Sequence, residues 1–144
     1  MTRERLSLAN LGSVPASMRP KVDPRSIGVG IVHLGIGAFH RAHQASFTED
    51  ALAATPGNWG ICGVTQRSGA VAAQLLPQDG LYSISERTDA GTRASVVGVV
   101  REVVDGSADP AEVVRRIASP EVHLVTLTVT EKGYRRDPRT GTLR

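Results

Sequence analysis

Two glycines separated by one residue stand where a predicted strand gives way to a predicted helix. Gly35 and Gly37 follow an apolar run over residues 27–34 and precede residues 39–54, which contain neither Gly nor Pro. Gly35 permits a tight turn, and Gly37 lets a phosphate approach the backbone because it has no Cβ atom. Free amides at the helix start can then donate hydrogen bonds to the anion. The pattern favours a dinucleotide pyrophosphate as ligand, although a purely structural turn explains the same glycine pair.

A second signal of a dinucleotide site, an acidic residue after the next strand, is missing. Such a carboxylate accepts hydrogen bonds from the adenosine ribose. The strand predicted over residues 59–65 is followed instead by Arg67 and Ser68, and His40 occupies the position of the third glycine of the usual fingerprint. Arg67 and Ser68 could meet the 2′-phosphate of NADP, but an exposed arginine can equally be a solvated charge. The choice between NAD and NADP therefore stays open.

Polar residues also follow the last predicted strand, over residues 122–129. These are Thr130, Glu131 and Lys132. Ligands of open α/β sheets gather outside the carboxyl ends of the strands, so these side chains would line a cofactor or substrate crevice. A polar turn at Gly133 is the alternative on spacing alone.

Other reactive side chains give weaker signals. His40 and His43 are three residues apart on one helical face, but Arg41 would repel a cation and neither Cys nor a carboxylate stands at ligand spacing. We therefore expect no metal site. Cys62 has no neighbouring base and is interpreted as a buried small hydrophobe, and His123 as a core histidine within an apolar strand.

Hydrophobic periodicity divides the chain after residue 26 into strands and helices of an α/β fold. One helix should begin at the capping residue Asp109, and a shorter one at Ser68. The long helix is expected to pack inward through Phe47, Ala51 and Ala54. About three strands of a parallel sheet plus an inserted antiparallel hairpin are predicted, which indicates an incomplete domain. Strands are predicted over residues 27–34, 59–65, 81–87, 93–100 and 122–129, and helices over 39–54, 69–76 and 109–118.

Composition limits the function further. The 144 residues, 40% hydrophobic and 22% charged, fit one domain or part of one. A net charge of +3 and an aromatic share of 3% do not suggest a nucleic-acid partner. A single cysteine fits a reducing compartment. No apolar run approaches the roughly 20 residues of a membrane span, and the first 20 residues lack a signal core, so we expect a cytoplasmic protein without a membrane partner.

Four segments together resemble the mannitol dehydrogenase family of polyol-specific long-chain dehydrogenases, which includes mannitol 2-dehydrogenase and fructuronate reductase. They are residues 31–44 (IVHLGIGAFHRAHQ), 59–64 (WGICGV), 76–82 (LPQDGLY) and 128–134 (TVTEKGY). The resemblance implies metal-independent hydride transfer between NAD, or NADP, and a polyol or sugar acid, of the mannitol to fructose or fructuronate to mannonate type. It also implies an N-terminal Rossmann-type domain and a mostly helical C-terminal domain.

By this resemblance the chain comprises an N-terminal extension (residues 1–26) and a partial Rossmann domain (residues 27–144). The family's catalytic lysine, with its asparagine and histidine partners, belongs to the C-terminal domain, so no catalytic residue is expected here and Lys132 is not that base. The chain alone should be inactive, reaching its substrate through the missing domain. A truncated, non-catalytic binding or interaction module with an exposed sheet edge is the alternative. The candidate cofactor-binding residues are His33, Leu34, Gly35, Ile36, Gly37, Ala38, Phe39, His40, Arg41, Arg67, Thr130 and Glu131.

Overall fold

The computed structural model describes residues 4–129, 137 and 139–142. Within them, the strands are β1 (Val29–Leu34), β2 (Gly60–Thr65), β3 (Tyr82–Thr88), β4 (Gly91–Val97), β5 (Val100–Asp105) and β6 (Leu124–Leu127). The α-helices are α1 (Ala38–Ala42), α2 (Gln44–Ala54), α3 (Ala70–Leu75) and α4 (Pro110–Ile117). None of these helices has the length and apolar character needed to cross a bilayer.

Four parallel strands form the main sheet in the order β5–β2–β1–β6. Helices connect consecutive strands of this sheet, and the antiparallel pair β3–β4 is inserted between α3 and β5. The order is that of one half of a Rossmann sheet extended by the first strand of the other half. The predicted fold class, a Rossmann-type sheet with an inserted hairpin, is confirmed. The strand β1 is central in this sheet and buried on both faces, as its apolar sequence predicts.

Apolar side chains cover the two faces of the sheet separately. Ile31 and Ile61 pack with Leu52 of α2 on one face, while Val32 and Cys62 pack with Val113 of α4 on the other. The alternation of neighbouring residues between the faces is the period of two of a β-strand. Burial raises the pKa of the Cys62 thiol to about 12, which agrees with its interpretation as a small hydrophobe.

The segment before β1 packs on the same core. Leu11 is buried against Leu81 and Val96 at the hairpin. The buried carboxylate of Glu49, in α2, accepts hydrogen bonds from the backbone amides of Lys21 (3.0 Å) and Gly98 (2.6 Å). Residues before position 27 are therefore fastened to α2 and to the turn after β4. The division of the chain into an N-terminal extension (residues 1–26) and a partial Rossmann domain (residues 27–144) stays a prediction.

The continuous helix predicted over residues 39–54 is wrong. His43, with φ −117° and ψ −83°, interrupts it between α1 and α2. Within α2 the buried residues are Ala45, Glu49 and Leu52, which lie on one helical face. Phe47, which was expected to face inward, is 66% exposed.

Two predicted strands also differ from the structure. Residues 93–100 do not form one strand, because Gly98 and Val99 separate β4 from β5, which is a fourth member of the parallel sheet. The strand β6 is shorter than predicted and lies at a sheet edge within the described residues, so Leu127 is 60% exposed. His123 is exposed rather than buried, with its ring 5.3 Å from that of Trp59.

The predicted cap of α3 is wrong as well. The helix begins at Ala70 after Gly69, and no side chain caps its first amides. A Cβ atom at Gly69 would lie 2.2 Å from Oδ2 of Asp105, so a side chain here would have to displace that carboxylate. Ser68 remains exposed before the helix.

Candidate functional site

Residues 35–37, hereafter the glycine bend, connect β1 to α1 and are attached to β2. The amides of Gly35 and Ile36 both donate to the carbonyl oxygen of Val64, at 2.9 and 3.1 Å. The bend requires glycine at its first position, since Gly35 has φ +103°. The Ile36 side chain is buried over Gly63, where a Cβ atom would lie 2.1 Å from Ile36 Cδ1. The inner side of the bend is therefore fixed by contacts to β2.

The outer side of the glycine bend is open. Gly37 is exposed, and a Cβ atom built on it would find only the Gly35 carbonyl oxygen within 4 Å, at 3.9 Å. Its φ of −83° suits any residue, so neither backbone conformation nor packing requires glycine at this position. The Arg41 amide donates to the Gly37 carbonyl at 3.1 Å, and the amides of the preceding residues of α1 have no intrahelical acceptor. Bare backbone donors thus border space that a side chain at position 37 would fill.

A cleft of about 490 Å³ begins at this open side. It is bordered by the glycine bend with the start of α1, by Thr65 at the end of β2 with residues 66–68 beyond it, and by Thr128 and Val129 after β6. These segments follow the carboxyl ends of adjacent parallel strands. The direction of strand order reverses at β1, with β2 on one side and β6 on the other, and a crevice at such a point is where open α/β sheets bind ligands.

The residues predicted to bind the cofactor fall into three groups: those that border the cleft, those that lie away from it, and those outside the described residues. Gly35, Ile36, Gly37, Ala38, Phe39 and Arg67 border the cleft. His33, Leu34, His40 and Arg41 are not among its lining residues. Arg41 borders another cavity of about 370 Å³, and its guanidinium lies 5.8 Å from the centre of the Tyr82 ring. Thr130 and Glu131 lie outside the described residues.

His33 and His40 form a buried pair beside the cleft. Their rings stack with centroids 3.5 Å apart and an angle of 14° between planes. Nδ1 and Nε2 of His33 make hydrogen bonds with the hydroxyls of Thr126 (2.7 Å) and Thr128 (3.1 Å). Burial lowers the pKa of His33, and it lowers that of His40 to about 4, with the neighbouring His33 contributing. Both imidazoles are therefore neutral at neutral pH.

No described residue that borders the cleft is a carboxylate, and Arg67 is its charged side chain. The carboxylate that contacts the end of β2 is that of Asp105, at the end of the neighbouring strand β5. Its Oδ1 accepts hydrogen bonds from the hydroxyls of Thr65 (3.1 Å) and Ser107 (2.6 Å). The hydrogen bond from Ser107 contributes most to lowering the pKa of Asp105. This carboxylate holds the segment after β2 in place rather than facing the cleft.

Sequence reasoning missed several residues that border the cleft. They are Thr65, Gln66, Val71, Thr128 and Val129. Their common feature is position at or just beyond the carboxyl end of a parallel strand, with Val71 in the helix that follows. The rule that ligands gather at these ends could have found most of them, but only once the strand order was known.

Comparison with known proteins identifies the same Rossmann arrangement. A family model described as the mannitol dehydrogenase Rossmann domain matches residues 29–143. The chain belongs to the mannitol dehydrogenase family. It is 42% identical over 126 residues to the uncharacterized oxidoreductase YeiQ of Escherichia coli (strain K12), covering 86% of this chain and 26% of that protein.

Two further relatives of this mannitol dehydrogenase family chain carry functional names. D-mannonate oxidoreductase of Escherichia coli (strain K12) is 39% identical over 129 residues, covering 87% of this chain and 26% of that protein. The structure of Pseudomonas fluorescens mannitol 2-dehydrogenase, a ternary complex with NAD and D-mannitol, aligns with a TM-score of 0.82 and 34% identity, over 97% of this chain and 30% of that chain. The chain thus spans about a quarter of the length of the curated relatives it matches.

Proposed function

We propose that this chain is the dinucleotide-binding part of an oxidoreductase that transfers a hydride between NAD(P) and a polyol or sugar acid. The observation that carries the proposal is the cleft at the reversal of strand order, where Gly37 leaves open space beside bare amides of α1. A pyrophosphate carries the negative charge that these donors favour. Membership of the mannitol dehydrogenase family and the structural similarity to a complex with NAD and D-mannitol support the same assignment.

Each border of the cleft suits one part of the dinucleotide. The free amides at the start of α1, beside the glycine bend, would hold the pyrophosphate, and residues 66–68 would meet the adenosine ribose after β2. The nicotinamide, which supplies or accepts the hydride when bound, would then lie toward Thr128 and Val129 after β6. Arg67 offers a cation for a 2′-phosphate, so we propose that NADP is accepted as well as NAD.

Catalysis is proposed to require residues outside this chain. In the family the catalytic lysine and its asparagine and histidine partners belong to the C-terminal domain, and hydride transfer from an alcohol needs a general base. The purified chain should therefore bind a dinucleotide without oxidising mannitol or arabinitol and without reducing fructuronate. Turnover of any of these substrates by the chain alone would overturn this part of the proposal.

The binding proposal is tested by titrating the purified chain with NADH and NADPH and following the fluorescence of the reduced nicotinamide. We expect saturable binding of at least one of them. Gly37→Val should abolish that binding because the new side chain would occupy the pyrophosphate space. Gly12→Val is the matched control, since Gly12 is exposed, has open space around it and lies elsewhere. No saturable signal at millimolar concentration, or equal binding by Gly37→Val, would contradict the proposal.

A non-catalytic interaction module is the second candidate, because β6, the last strand of the sheet within the described residues, exposes apolar side chains. Leu124 is 45% exposed and Leu127 is 60% exposed. The coding frame downstream discriminates the two candidates. A continuation that encodes a helical domain with a Lys-x-x-x-x-Asn-x-x-His-like stretch supports the enzyme, and a stop codon there supports the module.

A further inference from the structure

The stacked histidines flank the glycine bend on both sides. His33 lies two residues before Gly35, and His40 lies three residues after Gly37. The stacking, with ring centroids 3.5 Å apart, therefore brings together the two ends of the segment 33–40, which contains the free amides at the start of α1. Both side chains are almost completely buried, with 2% and 1% of their surface exposed.

His33 extends this contact to neighbouring elements. Its two ring nitrogens bind the hydroxyls of Thr126 in β6 and Thr128 just beyond it. Thr126 also accepts a hydrogen bond from Nε2 of Gln44, in α2, at 3.1 Å. The stack is thus connected to β1, β6, α1 and α2, the elements that surround the reversal of strand order.

His40 has a different environment. Neither of its ring nitrogens has a hydrogen-bond partner among the described residues. Burial is the largest cause that lowers the pKa of His40; His33 and Arg41 lower it further, and the Gln44 side chain raises it. A buried polar group without a partner is destabilising, and His40 does not border the cleft. The contact that the His40 ring makes near the site is therefore its stacking on the ring of His33.

We infer that the His33–His40 stack is a clamp that sets the position of the glycine bend, so that both histidines are positioning residues for the dinucleotide rather than contacts to it. The inference rests on the proposed function of the cleft. Without the stack, α1 can shift relative to β1, and its amides no longer converge on one anion. Loss of one hydrogen bond to the charged pyrophosphate would weaken binding by roughly ten- to a hundredfold.

The test compares His40→Ala, which removes the ring, with His40→Phe, which keeps a flat ring but no nitrogen. Val97→Ala is the control for loss of buried volume elsewhere in the core. Two quantities are measured on the purified chain. One is the rate of hydrogen exchange of the Gly35 and Ile36 amides, which donate to the Val64 carbonyl, and the other is the dissociation constant for NADH. We expect His40→Ala to accelerate exchange at these amides beyond Val97→Ala and to weaken NADH binding, and His40→Phe to restore both.

Equal weakening of NADH binding by His40→Phe and His40→Ala would overturn the inference, because it would show that the imidazole nitrogens are needed. Unchanged exchange in His40→Ala would also overturn it. The exchange measurement needs no ligand, so a wild-type protein that fails to bind NADH contradicts the proposed function while the exchange result still decides the clamp. If His40→Ala does not fold, Thr126→Val replaces it with the same expected acceleration, because it removes one hydrogen bond that holds His33.

Discussion

The Nδ1 atom of His33 lies 2.7 Å from the Oγ1 atom of Thr126, and the two residues are paired in register across β1 and β6. Polar contacts between neighbouring strands are seldom needed where an apolar core can form. Here the contact lies just before the carboxyl ends of both strands, at the point where the crevice opens. A buried imidazole thus joins β1 to β6 beside the proposed binding site.

Replacing Thr126 by valine should lower the free energy of unfolding. The substitution keeps the shape of the side chain but leaves a buried ring nitrogen of His33 without its partner, which costs about 1–3 kcal/mol. Urea denaturation at pH 7 measures the change. Thr92→Val, the same substitution at an exposed position of β4, is the control and should change stability little. Equal stability of Thr126→Val and wild type would show that the contact contributes nothing.

The buried histidines should make stability depend on pH. Burial lowers the pKa of His40 from its ordinary value of 6.5 to about 4 in the folded protein. Between these values the unfolded state binds more protons, so stability rises with pH across this window and is lost as pH falls toward 4. From pH 7 to pH 5 the contribution of His40 should fall by about 2 kcal/mol.

Urea denaturation of wild type and His40→Phe at pH 7 and pH 5 isolates this contribution. The variant should lose less stability on acidification because phenylalanine cannot take up a proton. Glu49, whose pKa burial raises, is present in both proteins and cancels in the comparison. Parallel losses in the two proteins would contradict a neutral, buried His40.

Substitutions of the two glycines of the bend should affect different properties, stability at Gly35 and NADH binding at Gly37. Gly35→Ala forces a side chain into a backbone conformation with φ +103°, and should cost about 1–3 kcal/mol of stability. Gly37→Ala meets no close neighbour and should leave the melting temperature unchanged, but it should weaken NADH binding. Thermal denaturation and fluorescence titration of both variants check this. A Gly37→Ala protein that binds NADH like wild type would mean that no ligand occupies this space.

Arg67 should influence the choice of cofactor. If its guanidinium meets a 2′-phosphate, Arg67→Ala should weaken NADPH binding by about tenfold or more and NADH binding much less, because charge-assisted hydrogen bonds are strong. Arg93→Ala, at an exposed arginine of β4, is the control. The ratio of the two dissociation constants is the measurement. Equal losses of affinity for NADPH and NADH would contradict a specific contact between Arg67 and the 2′-phosphate.

Local signals were sufficient for the part of the fold that carries the site. An apolar β-branched run, two glycines and a stretch without helix breakers predicted β1, the bend and the helical segment after it. Conformation in such a stretch is set by neighbours in sequence, so it can be read from the sequence. The four family-like segments extended the interpretation to the whole Rossmann arrangement, which the strand order confirms.

Features that depend on tertiary position were not predictable in the same way. The sequence on both sides of His43 is helical, so neither the break at this residue nor the choice of the buried face of α2 could be predicted from it. Among the described strands β6 is the outermost, and its exposure follows from that place in the sheet. The separation of β4 from β5 depends on pairing partners that are remote in sequence. The stacking of His33 and His40 depends on how tightly the bend folds back, which residue spacing alone does not specify.

The most direct test of the binding site is a titration of the ¹⁵N-labelled protein with NAD⁺, followed by amide chemical shifts. The account predicts saturable shifts that are largest at residues 35–39 and extend to residues 66–68, with little change at the exposed hairpin β3–β4. Absence of shifts at millimolar NAD⁺, or saturable shifts elsewhere while residues 35–39 stay unchanged, would contradict it.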